Sequence, residues 1–191
     1  MRLCFATNNR HKLEEVRAVL GKTFELLTLR EAGMKEELPE TQNTLEGNAL
    51  QKALYVFERY NLPCFADDTG LEVYALEGAP GVHSAYYAGP QRNSEHNIKL
   101  LLKNLSGITT RGAQFRTVVS LILPQGRWSF EGIIRGNILE NVRGNSGFGY
   151  DPVFLPCNES KTLAEMTLDE KNQISHRAIA IRKLVEFMNV L

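Results

Sequence analysis

Short apolar runs alternate with amphipathic helical stripes through the first third of this chain, and that alternation is what most limits its fold. Arg2 to Ala6 (RLCFA) reads as a strand, followed by Thr7-Asn8-Asn9 as a turn or helix cap. A helix begins near Lys12, with Leu13, Val16, Val19 and Leu20 at helical spacing. Phe24 to Leu29 reads as a second strand and residues 30–43 as a loop. Thr44 to Tyr60 reads as a long helix with Leu45, Ala49, Ala53, Val56, Phe57 and Tyr60 on one stripe. Pro63 to Asp67 reads as a third strand ending at two carboxylates, Asp67 and Asp68.

Beyond the carboxylates, Leu71 to Leu76 extends that strand after a kink at Gly70, and residues 77–89 are a Gly/Pro-punctuated loop. Ser94 is the expected cap of a helix through Leu105. Phe115 to Leu123 and Trp128 to Ile134 read as strands joined in a hairpin by Pro124-Gln125-Gly126-Arg127. Residues 141–152 are Gly-rich, and Ile174, Ala178, Ile181, Val185 and Met188 define a C-terminal amphipathic helix. Early strand–helix alternation with a central hairpin predicts an α/β fold built on a mixed sheet. No repeat or linker interrupts residues 1–191, which are expected to form a single domain.

Lys+Arg and Asp+Glu both number 22, so formal net charge is zero and no basic field invites nucleic acid or a membrane surface. No apolar run approaches membrane-spanning length, and the N-terminus turns polar after six residues, so no signal peptide is expected. Cys4 and Cys64 sit in apolar runs and read as buried thiols; with Cys157 they form no C-x-x-C. These features point to a cytoplasmic protein.

Four polar islands fall at element ends, where ligand sites of α/β proteins concentrate. Thr7-Asn8-Asn9-Arg10-His11-Lys12 lies between a strand and a helix N-terminus, a place that favours an anion. A capped helix with solvated charges is the plainer reading. Glu40, with Glu46, Asn48 and Lys52 beyond it, suits a divalent cation, or else a solvated helix start. Asp67-Asp68-Thr69-Gly70 reads as a turn, or as an acid pair stabilised by a cation, because adjacent carboxylates raise each other's proton affinity. Gly147-Phe148-Gly149-Tyr150-Asp151-Pro152, with Lys171 and Ser175-His176-Arg177, combines a close-approach loop, an aromatic face and donors; a Gly-rich turn and a capped helix would look alike. Together the inventory suits a nucleotide and Mg²⁺.

Taken in order, the islands resemble the inosine triphosphate pyrophosphatase family. The matching pieces are TNNRHKLEEV at 7–16, LPET, EGNALQKA at 46–53, ADDTGLEVYALEGAPGVHSA at 66–85, FGYDPVF at 148–154, TLAEM at 162–166 and EKNQISHRAIA at 170–180. The resemblance implies an elongated mixed sheet with flanking helices, in two lobes enclosing a nucleotide cleft, and a homodimer. It implies Mg²⁺-dependent hydrolysis of ITP, dITP and XTP to monophosphate and pyrophosphate. Under it, Thr7 to Lys12 (Thr7, Asn8, Asn9, Arg10, His11, Lys12) and Lys52 face the phosphates. Glu40 and Asp68 hold Mg²⁺, Asp68 is also the base for the attacking water, and Thr69 contacts substrate. Phe148 stacks on the base beside Gly149, Tyr150 and Asp151, while Lys171, His176 and Arg177 reach the base or its neighbours. Tyr86 stands where the family commonly has a basic residue, which either weakens triphosphate binding or leaves Arg92, Arg111 or Arg116 to substitute. Thr69 replaces a common Ser and keeps the hydroxyl. Turnover of other modified or canonical nucleotides, and nucleotide binding without turnover, remain as alternatives.

Overall fold

The computed structural model describes residues 2–21 and 24–191. Its elements in chain order are β1 (Arg2–Phe5), α1 (Arg10–Leu20), β2 (Glu25–Thr28), α2 (Leu45–Tyr60), β3 (Cys64–Val73), β4 (Pro80–Gly81) and α3 (Ser94–Asn104). They continue as β5 (Gly112–Leu123), β6 (Gly126–Ile138), β7 (Phe154–Pro156), α4 (Leu168–Ile174) and α5 (His176–Asn189). Among the described residues the strands form one seven-stranded sheet in the order β2-β1-β3-β5-β6-β7, with β4 paired to β3. It is mixed: β1 runs parallel to β2 and β3, while β4 is antiparallel to β3 and β7 to β6. The expected α/β fold with flanking helices is the one observed.

The chain divides into two compact units. The first holds Met1–Asp68, Thr117–Gly132 and His176–Leu191, and the second Thr69–Arg116 and Ile133–Ser175. In the first unit, strand alternation sorts large from small side chains. Leu3, Phe5 and Phe65 share one cluster with Val16 and Leu20 of α1 and Ile181 and Leu184 of α5. The Phe5 and Phe65 rings stack there with centroids 4.6 Å apart. Cys4, Ala6, Cys64 and Ala66 pack instead with Ala53 and Val56 of α2. These small residues bring the helix backbone close: the Cys64 thiol donates to the Ala53 carbonyl at 3.2 Å. Asn9 caps α1 and Thr44 caps α2 through their side chains.

The second unit has its own core, in which Leu71, Val73, Leu101, Leu105, Phe115, Phe154 and Leu163 are buried. Here the structure corrects three expectations and adds elements the sequence did not show. β3 does not end at the carboxylates; it runs unbroken from Cys64 to Val73. Gly70 makes no kink. A Cβ there would stand 2.6 Å from the Gly81 carbonyl oxygen, so glycine is what lets that backbone approach. Asn93, not Ser94, caps α3. The stretch 77–89, expected as loop, contributes β4 to the sheet, and β7 and α4 are further additions, although Thr167 and Glu170 form a capping box at the start of α4.

Candidate active site

Side chains on a strand alternate between faces, and at Asp67 and Asp68 this sends two neighbouring carboxylates to different helices. Asp67 follows Phe65 toward the α1 and α5 side. Its Oδ1 accepts from Lys12 Nζ at 3.0 Å and its Oδ2 from Arg177 Nε at 3.0 Å. Arg177 in turn donates from Nη1 to Glu15, a buried acid on α1. Burial alone would raise the Asp67 carboxyl, but Lys12 and Arg177 hold it well below the usual carboxylate range.

Asp68 follows Ala66 toward α2. Asn48 Nδ2 donates to its Oδ2 at 3.1 Å, and Lys52 Nζ lies 3.6 Å from its Oδ1. The same ammonium donates to Glu40 Oε1 at 2.5 Å. Burial raises the proton affinity of Asp68, opposed by Lys52, Lys12 and Asn48. Lys52 would be pushed down by its own burial, yet Asp68 and Glu40 beside it raise its affinity for the proton. The chemical product is a carboxylate with more proton affinity than an ordinary Asp, next to a fixed positive charge. That suits a general base acting on water.

Glu40 and Asp68 also suit a hard divalent ion. Mg²⁺ takes oxygen ligands and is commonly bound through one or two carboxylates plus substrate phosphates. Two carboxylates already flank a cationic ammonium here, so the donor set fits Mg²⁺. Among the described residues no group of three or more His, Cys, Asp or Glu is placed to hold a metal, so other ligands would be substrate or water.

The Thr7 to Lys12 island is a compact cap. Asn9 Oδ1 accepts from the His11 and Lys12 amides, and Thr7 Oγ1 accepts from the Asn9 amide. Asn8, Asn9, Arg10 and His11 are exposed, and Arg10 pairs with Glu14 on the surface at 3.0 Å. Lys12 is the member that turns inward, to Asp67. Thr69 is the next residue of β3 and is partly exposed.

The second unit carries the aromatic loop. Asp151 Oδ2 accepts from the Phe148 amide at 2.9 Å and from Lys171 Nζ at 2.6 Å. Lys171 Nζ also sits 5.0 Å from the centroid of the Phe148 ring. Tyr150 is a core residue whose hydroxyl donates to the Ser84 carbonyl at 2.9 Å, and burial pushes its ionisation up. Gly147 has φ +76°, and a Cβ on it would run into the Asp151 carboxylate. Phe148 and Gly149 are left partly exposed on a loop tied down on both sides.

The structure thus brings Glu40, Lys52 and Asp68 together, and separately Phe148, Asp151 and Lys171. His176 is buried in the first unit. Arg177, expected at the base, is engaged by Asp67 and Glu15, and this geometry supports a role in holding Asp67. Asp67 is legible in the sequence only as the partner of Asp68 in an acid pair, not as the anchor of Lys12 and Arg177; for Glu15 the only signal is a Glu beside the apolar stripe of α1. Of the arginines expected to substitute near Tyr86, Arg111 donates to the carbonyls of Leu105, Ile138 and Leu139. Arg116 lies 3.9 Å from Glu72. Arg92 lines a cavity of about 340 Å³ with Tyr86, Gly89 and Pro90.

A model of the Ham1 family matches residues 3–187. A dITP/XTP pyrophosphatase of Porphyromonas gingivalis is 54% identical over 188 residues, covering 98% of this chain and 97% of that protein. The solved structure of the Staphylococcus aureus Ham1 protein matches with a TM-score of 0.90 at 36% identity, over 99% of this chain and 98% of that one. A HAM1 protein from Coxiella burnetii matches with a TM-score of 0.90 at 32% identity, over 100% of each chain. The chain belongs to the Ham1 family.

Proposed function

We propose that this protein hydrolyses dITP, ITP and XTP to the nucleoside monophosphate and pyrophosphate, removing non-canonical purine nucleotides from the pool. The observation that carries the reading is Asp68, a buried carboxylate of raised proton affinity beside Lys52 and Glu40. It stands in a chain 54% identical to a protein named dITP/XTP pyrophosphatase.

Water attacks the α-phosphorus, because only scission between the α and β phosphates yields monophosphate plus pyrophosphate. Asp68 orients that water and takes its proton. Mg²⁺, when bound by Glu40 and Asp68, neutralises charge on the phosphates and on the departing pyrophosphate. Lys52 adds a fixed positive charge next to the base, and the Thr7 to Lys12 cap offers amides and polar side chains to the phosphate chain. Arg92, beside Tyr86, supplies the charge that Tyr86 lacks. Phe148 stacks on the purine, with Lys171 and Asp151 fixing its loop. Donors facing the 6-oxo group are left opposite another donor when a 6-amino purine enters, which disfavours ATP. The protein is placed in the cytoplasm and assembles as a homodimer on this reading; among the described residues no helix is long and apolar enough to cross a membrane.

The test is product analysis. Purified protein is incubated with Mg²⁺ and dITP, ITP, XTP, ATP or GTP in turn, and the products are separated by chromatography. Monophosphate and pyrophosphate from dITP, ITP and XTP, with ATP and GTP largely spared, is the expected pattern. Diphosphate and orthophosphate, or bound nucleotide with no product, would overturn it.

A further inference from the structure

The Asp68 carboxylate has two oxygens in different surroundings, and the difference traces back to one amide. Asn48 lies in the first turn of α2 and is only 3% exposed. Its Oδ1 accepts from the backbone N–H of Gln42 at 2.9 Å, and its Nδ2 donates to Asp68 Oδ2 at 3.1 Å. A backbone N–H can only donate, so the atom facing Gln42 must be the amide oxygen. That choice turns the NH₂ group toward Asp68 and excludes the flipped rotamer.

Gln42 is itself held in place by a close approach. A Cβ on Gly47 would stand 2.7 Å from Gln42 Cβ and 3.0 Å from Thr44 Oγ1. Glycine at 47 therefore lets residue 42 fold back over the helix start, where its N–H meets Asn48. Thr44 caps the same turn by accepting from the Gly47 amide at 3.0 Å. The sequence T-L-E-G-N at 44–48 thus contains the cap, the gap and the amide in five residues.

We propose that Asn48 is a positioning residue for Asp68: clamped by the Gln42 N–H, it occupies Oδ2 with a neutral donor and leaves Oδ1, on the Lys52 side, as the oxygen that takes the proton of water. The inference rests on the pyrophosphatase reading. A neutral donor suits the task. A second cation at Oδ2 would quench the carboxylate, as Lys12 and Arg177 do for Asp67, whereas an unmet Oδ2 would leave the carboxylate free to rotate between two proton-accepting oxygens.

Two variants separate positioning from packing. Asn48→Ala removes volume and the whole amide; Asn48→Leu restores the volume and shape but lacks both the donor to Asp68 and the acceptor for the Gln42 N–H. Both are assayed for pyrophosphate release from dITP with Mg²⁺, beside wild type and Asp68→Asn, and their melting temperatures are recorded. The expected result is a fall in kcat of about 10- to 100-fold in both, the range for losing a hydrogen bond to a charged group, with KM within about twofold of wild type. If the Ala variant does not fold, the Leu variant decides. A Leu variant with kcat close to wild type, or with its loss confined to KM, overturns the proposal while an active wild type leaves the pyrophosphatase reading standing. A wild type that releases no pyrophosphate overturns that reading, and this inference with it.

Discussion

Asp67 meets two cations on the α1 and α5 side of β3, while Asp68 meets one cation and one neutral amide on the α2 side. Both are buried, at 1% and 9% exposure, so the contrast comes from partners more than from depth. Asp67 is neutralised and held ionised by Lys12 and Arg177, with its proton affinity lowered. The Lys52 ammonium beside Asp68 is shared with Glu40, and burial outweighs Lys52 and the farther Lys12, so the proton affinity of Asp68 is raised. One residue along a strand therefore separates an anchoring carboxylate from a reactive one. The lesson is general: alternation lets a fold place like charges side by side in the chain while giving each a different field.

The contrast breaks most directly at Asp68. Asp68→Asn should lower kcat by about 10²–10⁴, the usual cost of losing a general base, with the melting temperature near wild type. Turnover within a few-fold of wild type would remove the distinction between the two acids. Asp67→Asn should do the opposite. Stranding Arg177 and Lys12 should cost about 3–5 kcal/mol of stability, as when one partner of a buried ion pair is removed, readable in a urea titration. Acid should narrow that gap. Asp67 is depressed below its ordinary value of 3.8, so its stabilisation is present above pH 3.8 and is lost as pH falls below it. Wild type and Asp67→Asn should converge in stability only under strongly acidic conditions, and a gap that closes near neutral pH would contradict the pairing.

Glu15→Gln sharpens the comparison one residue further out. It keeps an acceptor for Arg177 but removes the charge, and should cost about 1.5–3 kcal/mol, with KM for dITP little changed. A large rise in KM would mean that the Arg177 support chain reads the substrate. Arg10→Ala calibrates the scale. Its pair with Glu14 is on the surface, and an i,i+4 surface pair contributes about 0.3–0.5 kcal/mol. A loss like that of Asp67→Asn would show that the difference between buried and exposed pairs has been overdrawn.

Much of the local structure was legible. The Thr44 to Tyr60 stripe became α2 with Thr44 as its cap, and the hairpin of β5 and β6 lies where its turn residues put it. The stretch Thr167-Leu168-Asp169-Glu170 carries a capping-box pattern that marks the start of α4, but the apolar stripe after it is too short to signal a helix by periodicity. At the candidate site, Glu40 and Asp68, expected at the metal, and Lys52, expected at the phosphates, are brought together by the fold around the Lys52 ammonium. The amide at Asn48 and the acid at Glu15 were not given roles, because each acts through a partner that only folding supplies.

The sequence by itself determined where the longer strands and helices lie, since periodicity and capping are written in residues a few positions apart. It also carried the family, in motifs spread from Thr7 to Ala180. Only the tertiary structure decided that β3 continues through its two carboxylates. From the chain alone, paired acids looked like a strand end, because burying a charge is costly without a partner. The partners of Asp67 lie 55 and 110 residues away, in Lys12 and Arg177, and the amide for Asp68 lies 20 residues back. Until the helices close over the sheet, those charges have nothing to meet; once they do, the same two acids belong in the middle of a strand.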